Sequence, residues 1–308
     1  KVNNIIIDNI GNEVPLISDL SQHILASGGK RIRPIITLLT SNLCNYEGVN
    51  HIALAACIEF IHTATLLHDD VIDESKLRRG VATANDIFGN KTSVLVGDFL
   101  FSRSFELMVE NGSKEILEIL SKTSSTIAKG EVLQLTTIND CSTSETIYMK
   151  IINSKTASLF SAAAEISAIL SNKDIDSQNN LRAYGKKLGI AFQLVDDALD
   201  YVGSKDLGKK IGDDFREGKM TLPIIICIRK SNEKEKVFWK KTIENLDQTD
   251  EDLEKALILI KKYEAIEETL LLANNYCSEA IQALENFPES ESKLALESLA
   301  KIAISRKN

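Results

Sequence analysis

Proline is nearly missing from this chain. Of 308 residues only Pro15, Pro34, Pro223 and Pro288 are proline, and none falls between residues 35 and 222. At an average usage of about 5%, roughly nine would be expected in that stretch. Proline lacks an N–H and its ring clashes with the preceding helical turn, so its absence suits long helices. Cysteine is sparse and unpatterned: five residues at 44, 57, 141, 227 and 277, an odd number with no C-x-x-C spacing. Neither a disulfide framework nor a zinc site is expected, and a reducing compartment fits better. No uninterrupted apolar run exceeds seven residues, which offers no continuous bilayer span and no stable membrane anchor. The first residues hold no basic segment followed by an apolar stretch, so a cytoplasmic location is expected. Positive charge is in deficit, with a net charge of −8, which argues against nucleic acid or anionic membranes as partners. What remains is 44% apolar and 26% charged, the balance of a folded globular protein.

The apolar pattern agrees with the proline spacing. In 51–73 the residues Ile52, Ala55, Ala56, Glu59, Ile61, Thr65 and Leu66 recur at helical intervals, and small or apolar groups cover most of the circumference. A helix apolar nearly all round belongs inside a bundle. Similar signals predict helices over 92–109, 113–137, 144–170, 177–201, 219–231, 249–262, 264–286 and 289–305, with Ser113 and Ser144 as starts and Gly112 and Gly203 as ends. Ile35–Leu39 and Pro223–Ile228 could pass as buried strands, but each runs into a helical pattern. No repeat and no Gly/Ser/Pro linker divides the chain. The expectation is one all-α domain over 1–308, a large bundle of long antiparallel helices.

Leu67-His68-Asp69-Asp70-Val71-Ile72-Asp73 ends an otherwise apolar helix with three carboxylates. Residues four apart differ by about 40° around a helix, so Asp69 and Asp73 share a face while Asp70 points roughly 100° away. Two carboxylates on one face repel each other unless a cation compensates. Oxygen-only ligands suit Mg2+, which commonly bridges protein carboxylates to substrate phosphates. The pattern returns at Gln193-Leu194-Val195-Asp196-Asp197-Ala198-Leu199-Asp200. One D-D-x-x-D is as readily an acidic, solvated helix end; two copies, each after an apolar stretch, are harder to dismiss. Two such helices facing each other across a bundle could hold several Mg2+ ions around one diphosphate.

Cations occur in compact groups. Gly28-Gly29-Lys30-Arg31-Ile32-Arg33-Pro34 joins a turn to three basic residues, of which Lys30 and Arg33 could reach one phosphate. It lacks the G-x-x-x-x-G-K-[ST] spacing of a P-loop. Arg78-Arg79-Gly80 follows the first acidic segment and could either partner Asp73 and Glu74 or cap the substrate end. Lys155-Thr156, Lys210 and Lys219 add further cations, the last two flanking Asp213 and Asp214.

These segments, together with Phe192-Gln193 and Glu217-Gly218-Lys219, stand in an order that resembles the trans-isoprenyl diphosphate synthases, from about residue 20 to the C-terminus. Glu59–Asp73 and Ser93–Leu100 look most like the bacterial polyprenyl diphosphate synthases of the octaprenyl type. The resemblance implies helices around a deep central cavity, a homodimer, and condensation of isopentenyl diphosphate onto an allylic diphosphate primer with release of pyrophosphate. It further implies Mg2+ on Asp69, Asp73 and Asp196, with Asp70, Asp197 and Asp200 helping in the same metal set. Arg78, Lys155 and Lys210 would contact the allylic diphosphate, with Lys219 nearby. Lys30, Arg33, His62 and Arg79 would hold isopentenyl diphosphate, and Thr156, Gln193 and Phe192 would line the reacting carbons.

Product length is expected to follow from the helix face before Asp69. Short-chain members of the family tend to carry aromatic plugs four and five residues before the motif; here those positions are Thr65 and Ala64, with Ile61 and Cys57 further along. The expectation is a long product, of the octaprenyl class, for a ubiquinone or menaquinone side chain. Gly130-Glu131-Val132-Leu133-Gln134 is expected near the floor of the cavity. Ordinary close packing of small side chains also fits Ala64 and Thr65. Two other readings stay open: a class I terpene cyclase, disfavoured by the second aspartate motif, and a silent regulatory subunit, disfavoured by the retention of all six aspartates.

Overall fold

A chain with so few helix breakers folds as helices. The computed structural model describes residues 1–11, 13–26, 29–78, 80–202 and 211–305. In chain order the helices are α1 (Val2–Ile10), α2 (Pro15–Ala26), α3 (Ile32–Leu43), α4 (Asn50–Ile72), α5 (Ala84–Phe88), α6 (Asn90–Asn111), α7 (Lys114–Leu135), α8 (Glu145–Ile152), α9 (Ser158–Leu170), α10 (Ile175–Leu199), α11 (Asp213–Arg216), α12 (Leu222–Lys230), α13 (Glu233–Trp239), α14 (Asp250–Lys262), α15 (Ala265–Gln282) and α16 (Glu291–Ile304). The described strands are β1 (Leu77–Arg78) and β2 (Val81–Ala82), an antiparallel pair in which Arg78 faces Val81. Both segments that could have been strands are helical, in α3 and α12. Pro34 and Pro223 fall in first turns, where the missing N–H has no intrahelical partner to lose.

The chain divides into two compact units: Lys1–Ser124 with Leu159–Gly185 and Leu284–Leu296, and Ser125–Ser158 with Lys186–Ala283 and Glu297–Asn308. Each division falls within or at the edge of a helical segment rather than at a linker.

In the first unit α4 is the central element and packs against α6, α3 and α1. Its buried residues run almost without a break from Ala53 to Ile61, as the all-round apolar pattern predicts. By length and composition it could cross a membrane, but 67% of its apolar window is buried within the protein. α9 lies close to α3 because its facing residues are small. The Thr37 hydroxyl donates to the Ala163 carbonyl at 2.9 Å, and Thr40 Oγ1 donates to Ser167 Oγ at 2.8 Å.

The second unit is built on Trp239, fully buried, with its indole N–H on Ser231 Oγ at 3.0 Å and the rings of Phe215 and Phe238 edge-on. α13 begins at a reciprocal cap between Asn232 and Glu235, and α14 at one between Thr249 and Asp252, each satisfying two backbone donors.

One long helix was expected over 144–170; the structure interrupts it. After α8, capped by Ser144 as predicted, residues Asn153–Ala157 form a π-helical turn before α9. Such single wide turns are rare and cluster at functional sites. This one carries Lys155 and Thr156.

Candidate active site

In the first unit, the last turns of α4 hold the first acidic segment. Asp69 and Asp73 are half-buried on one face, while Asp70 is 2% exposed, as the helical angles require. Arg78 closes on Asp70 with three hydrogen bonds, Nε to both carboxylate oxygens at 3.0 Å and Nη2 to Oδ1 at 2.7 Å. The loop between them is fixed from below: Asn85 Nδ2 donates to the carbonyls of Asp70 and Ser75, and Thr83 Oγ1 to that of Ser75. Arg78, expected on an allylic diphosphate, is therefore the counter-ion of Asp70 here.

Of the basic cluster before α3, Arg31 adopts a left-handed backbone (φ 48°) and pairs with the buried Glu59 of α4. Lys30 is exposed, and Arg33 sets its guanidinium over the Phe160 ring, 4.4 Å from the centroid. His62 is half-buried, and its carbonyl accepts the Thr65 hydroxyl at 2.7 Å. Ala64 and Ile61 are fully buried; Cys57 reaches across to the Ser104 carbonyl of α6.

In the second unit, α10 presents Asp196 exposed, Asp200 half-buried and Asp197 5% exposed. Asp200 Oδ2 accepts the backbone N–H of Asp214 at the start of α11. Asp197 accepts from two neutral donors: the Tyr148 hydroxyl on Oδ2 at 2.5 Å and Gln193 Nε2 on Oδ1 at 2.8 Å. Gln193 Oε1 in turn accepts from Thr156 Oγ1 at 2.8 Å. Burial first, and the charge of Asp214 second, push the Asp197 carboxyl up to about 8, against the smaller opposing pull of its two donors. Burial and Asp197 raise the Tyr148 phenol well above its ordinary range, so it stays a donor.

Tyr148, Thr156, Gln193, Asp197 and Asp214 line a cavity of about 140 Å³ together with Lys155, Lys219, Gln134, Thr221 and apolar Ile151, Ile152 and Met220. Lys155 Nζ pairs with Glu131 Oε2 at 2.6 Å, and Lys219 lies 2.9 Å from Glu217 and 3.9 Å from Asp214. Gly130 makes the first of these possible: a Cβ there would sit 2.9 Å from the backbone N of Lys155, so only glycine lets α7 lie against the π-helical turn. Gly218 serves similarly before Lys219, at φ +66° with Asn139 where a Cβ would be.

The structure thus brings Lys155, Thr156, Gln193, Asp197 and Lys219 to one cavity, and Asp69, Asp70, Asp73 and Arg78 to one helix end. Arg79 and Lys210 lie outside the described residues. Sequence reasoning missed Tyr148 altogether. It is seven residues before Lys155, a helical repeat that could have drawn attention, but its bond to Asp197 is a tertiary fact. Of the segment expected near a cavity floor, Glu131 pairs with Lys155 and Gln134 lines the cavity described above.

An all-helical chain with paired aspartate segments and a lysine-bearing polar cavity defines a class of enzymes that handle diphosphates, and comparison with known proteins agrees. The polyprenyl synthetase family pattern matches residues 14–260. Octaprenyl diphosphate synthase of Escherichia coli (strain K12) is 45% identical over 306 residues, 99% of this chain and 94% of that protein. A decaprenyl diphosphate synthase from Rhodobacter capsulatus superposes with a TM-score of 0.95 at 48% identity, covering 98% of this chain and 94% of that one. A polyprenyl synthase from Caulobacter crescentus CB15, solved with calcium and isoprenyl diphosphate, gives 0.96 at 48% identity, covering 100% and 94%. The chain belongs to the polyprenyl synthetase family. It is a prenyltransferase that makes long-chain trans-polyprenyl diphosphates.

Proposed function

We propose that this enzyme adds isopentenyl diphosphate head to tail onto an allylic diphosphate primer and repeats the step to the octaprenyl class, for a quinone side chain. It works as a single domain and a homodimer in the cytoplasm. The observation that carries this reading is the treatment of the aspartates: in both D-D-x-x-D segments the middle carboxylate is buried on protein donors, while the outer ones stay half-buried or exposed.

That division fits magnesium. Among the described residues no three acidic, histidine or cysteine groups form a metal cage, so an ion on Asp69 and Asp73, or on Asp196 and Asp200, would complete its sphere with water and diphosphate oxygens, as Mg2+ prefers. When bound it supplies Lewis-acid neutralisation of charge on the departing diphosphate.

The side chains do the rest. An ammonium has three donors, so Lys155 and Lys219 can serve their carboxylates and a diphosphate together, joined by Lys210. Lys30, Arg33, His62 and Arg79 hold the second diphosphate. Thr156 and Gln193 turn oxygen dipoles, and Phe192 its ring, toward the reacting carbons, where positive charge develops. No side chain is assigned as base, because the released pyrophosphate can take the proton. Ala64, Thr65 and Ile61 leave room for the growing chain. Purified protein given Mg2+, isopentenyl diphosphate and labelled farnesyl diphosphate should yield a linear octaprenyl-class diphosphate. A cyclic hydrocarbon would make it a cyclase, and no turnover a regulatory subunit.

A further inference from the structure

Four polar side chains on the wall of the second unit's cavity form a single hydrogen-bonded line. Tyr148 OH donates to Asp197 Oδ2, Gln193 Nε2 donates to Asp197 Oδ1, and Thr156 Oγ1 donates to Gln193 Oε1. They come from three separate helical segments, α8, the π-helical turn and α10. We propose that Tyr148 is a positioning residue for the prenyl transfer: through Asp197 it holds the Gln193 carboxamide in one orientation and so fixes which way the Thr156 hydroxyl faces. This deepens the function proposed above and rests on it.

The argument is one of donor and acceptor counting. A carboxamide has an acceptor end and a donor end, and either can face a neighbour until its partners decide. In its ionised form Asp197 accepts on both oxygens: Tyr148 takes Oδ2, which leaves Oδ1 for Gln193, and only the NH2 end of Gln193 matches it. The carbonyl end must then face Thr156 and accept its only proton. A hydroxyl that has spent its proton turns lone pairs to whatever lies on its other side. Here that side is the cavity, since Thr156 lines it. Lone pairs fixed toward the reacting carbons favour the allylic cation and cost no reorientation as charge develops. Reversed, the same hydroxyl would aim its proton at that charge. The π-helical turn contributes by widening the backbone at Asn153–Ala157, which offsets Thr156 from the regular α-helical positions of α8 and α9.

A purely structural role for Tyr148 would be to satisfy a buried carboxylate, and its loss would then lower stability and leave the reaction alone. The two roles separate in kinetics. In Tyr148→Phe, the single-turnover condensation rate at saturating substrates should fall on the order of tenfold to a hundredfold, as misplaced reacting groups do, while KM for isopentenyl diphosphate stays within about twofold. Thr156→Val should cost a similar factor, and adding Tyr148→Phe to it should cost nothing more, because coupled residues in one network are not additive. Full additivity, or a wild-type rate in Tyr148→Phe, overturns the proposal. Should Tyr148→Phe fail to fold, 3-fluorotyrosine at position 148 keeps ring and hydroxyl while changing donor strength. A changed condensation rate at unchanged KM then supports the proposal, and an unchanged rate overturns it. If the wild-type chain itself makes no linear polyprenyl product, the function fails; if it elongates and Tyr148→Phe elongates equally fast, only this inference does.

Discussion

The two acidic segments share a pattern and differ in what holds the middle residue. Asp70 is clamped by the guanidinium of Arg78 through three hydrogen bonds. Asp197 faces a phenol and a carboxamide, with Asp214 and Asp196 close enough to oppose its charge. One carboxylate is neutralised by an opposite charge; the other is kept by neutral donors, and burial with the charge of Asp214 pushes its pKa up. Identical D-D-x-x-D spelling therefore conceals opposite electrostatics. The outer aspartates, by contrast, are similar in the two segments: none is among the fully buried residues.

If that contrast is correct, the outer positions should behave alike and the middle ones should not. Asp69→Ala and Asp196→Ala should each lower the condensation rate by roughly 10³-fold or more, since a lost metal ligand forfeits several kcal/mol of charge stabilisation; chelation of magnesium should abolish turnover. A variant at either position with near wild-type rate would break the equivalence.

The middle positions separate in stability. Arg78→Met strands a buried carboxylate without its cation and should cost about 2–3 kcal/mol in urea unfolding, less than a fully buried pair because Arg78 is partly exposed. Asp197→Asn removes no counter-charge and spares the buried carboxyl its proton uptake, so it should leave stability at pH 7 unchanged or raised. Equal losses would mean that the two environments are equivalent after all.

The helices leading into the segments offer a third comparison. Four and five residues before Asp69 stand Thr65 and Ala64, whereas the same positions before Asp196 are Phe192 and Ala191. An aromatic on α4 one position before the place where α10 carries Phe192, introduced through Ala64→Phe, should shorten the product by several prenyl units, read by reversed-phase chromatography, at an overpacking cost of about 1–3 kcal/mol. Unchanged product length would remove Ala64 from chain-length control.

The last contrast is in pH dependence. An unfolded aspartate releases its proton near pH ~3.9, while folded Asp197 keeps it to about pH 8. The folded state binds the extra proton across that window, so stability should decline as pH rises from about 4 to about 8 and level off above. Urea midpoints in chelator-containing buffer should follow that slope, and Asp197→Asn should flatten it.

Much of this was legible before any coordinates. Proline exclusion and apolar periodicity predicted the long helices; Ser113 and Ser144 stand where helix starts were expected, each accepting a first-turn N–H. The angle between Asp69 and Asp70 around a helix placed them on different faces, as observed. Other features had no local signal. The π-helical turn at Asn153–Ala157 interrupts a stretch whose apolar pattern reads as one helix, and the close packing of α7 on it at Gly130 is a contact that no local pattern announces. α11, at Asp213–Arg216, is too short to show a period.

Sequence alone determined what repeats at short range: helical faces, caps, and which aspartates share a side. Tertiary structure alone decided the partners, giving Asp70 a cation and Asp197 a phenol. The reason is physical. A helix period fixes the direction of a side chain from its neighbours a few residues away, whereas the charge or hydrogen bond it meets comes from residues brought there by packing, as Tyr148 meets Asp197 from another helix.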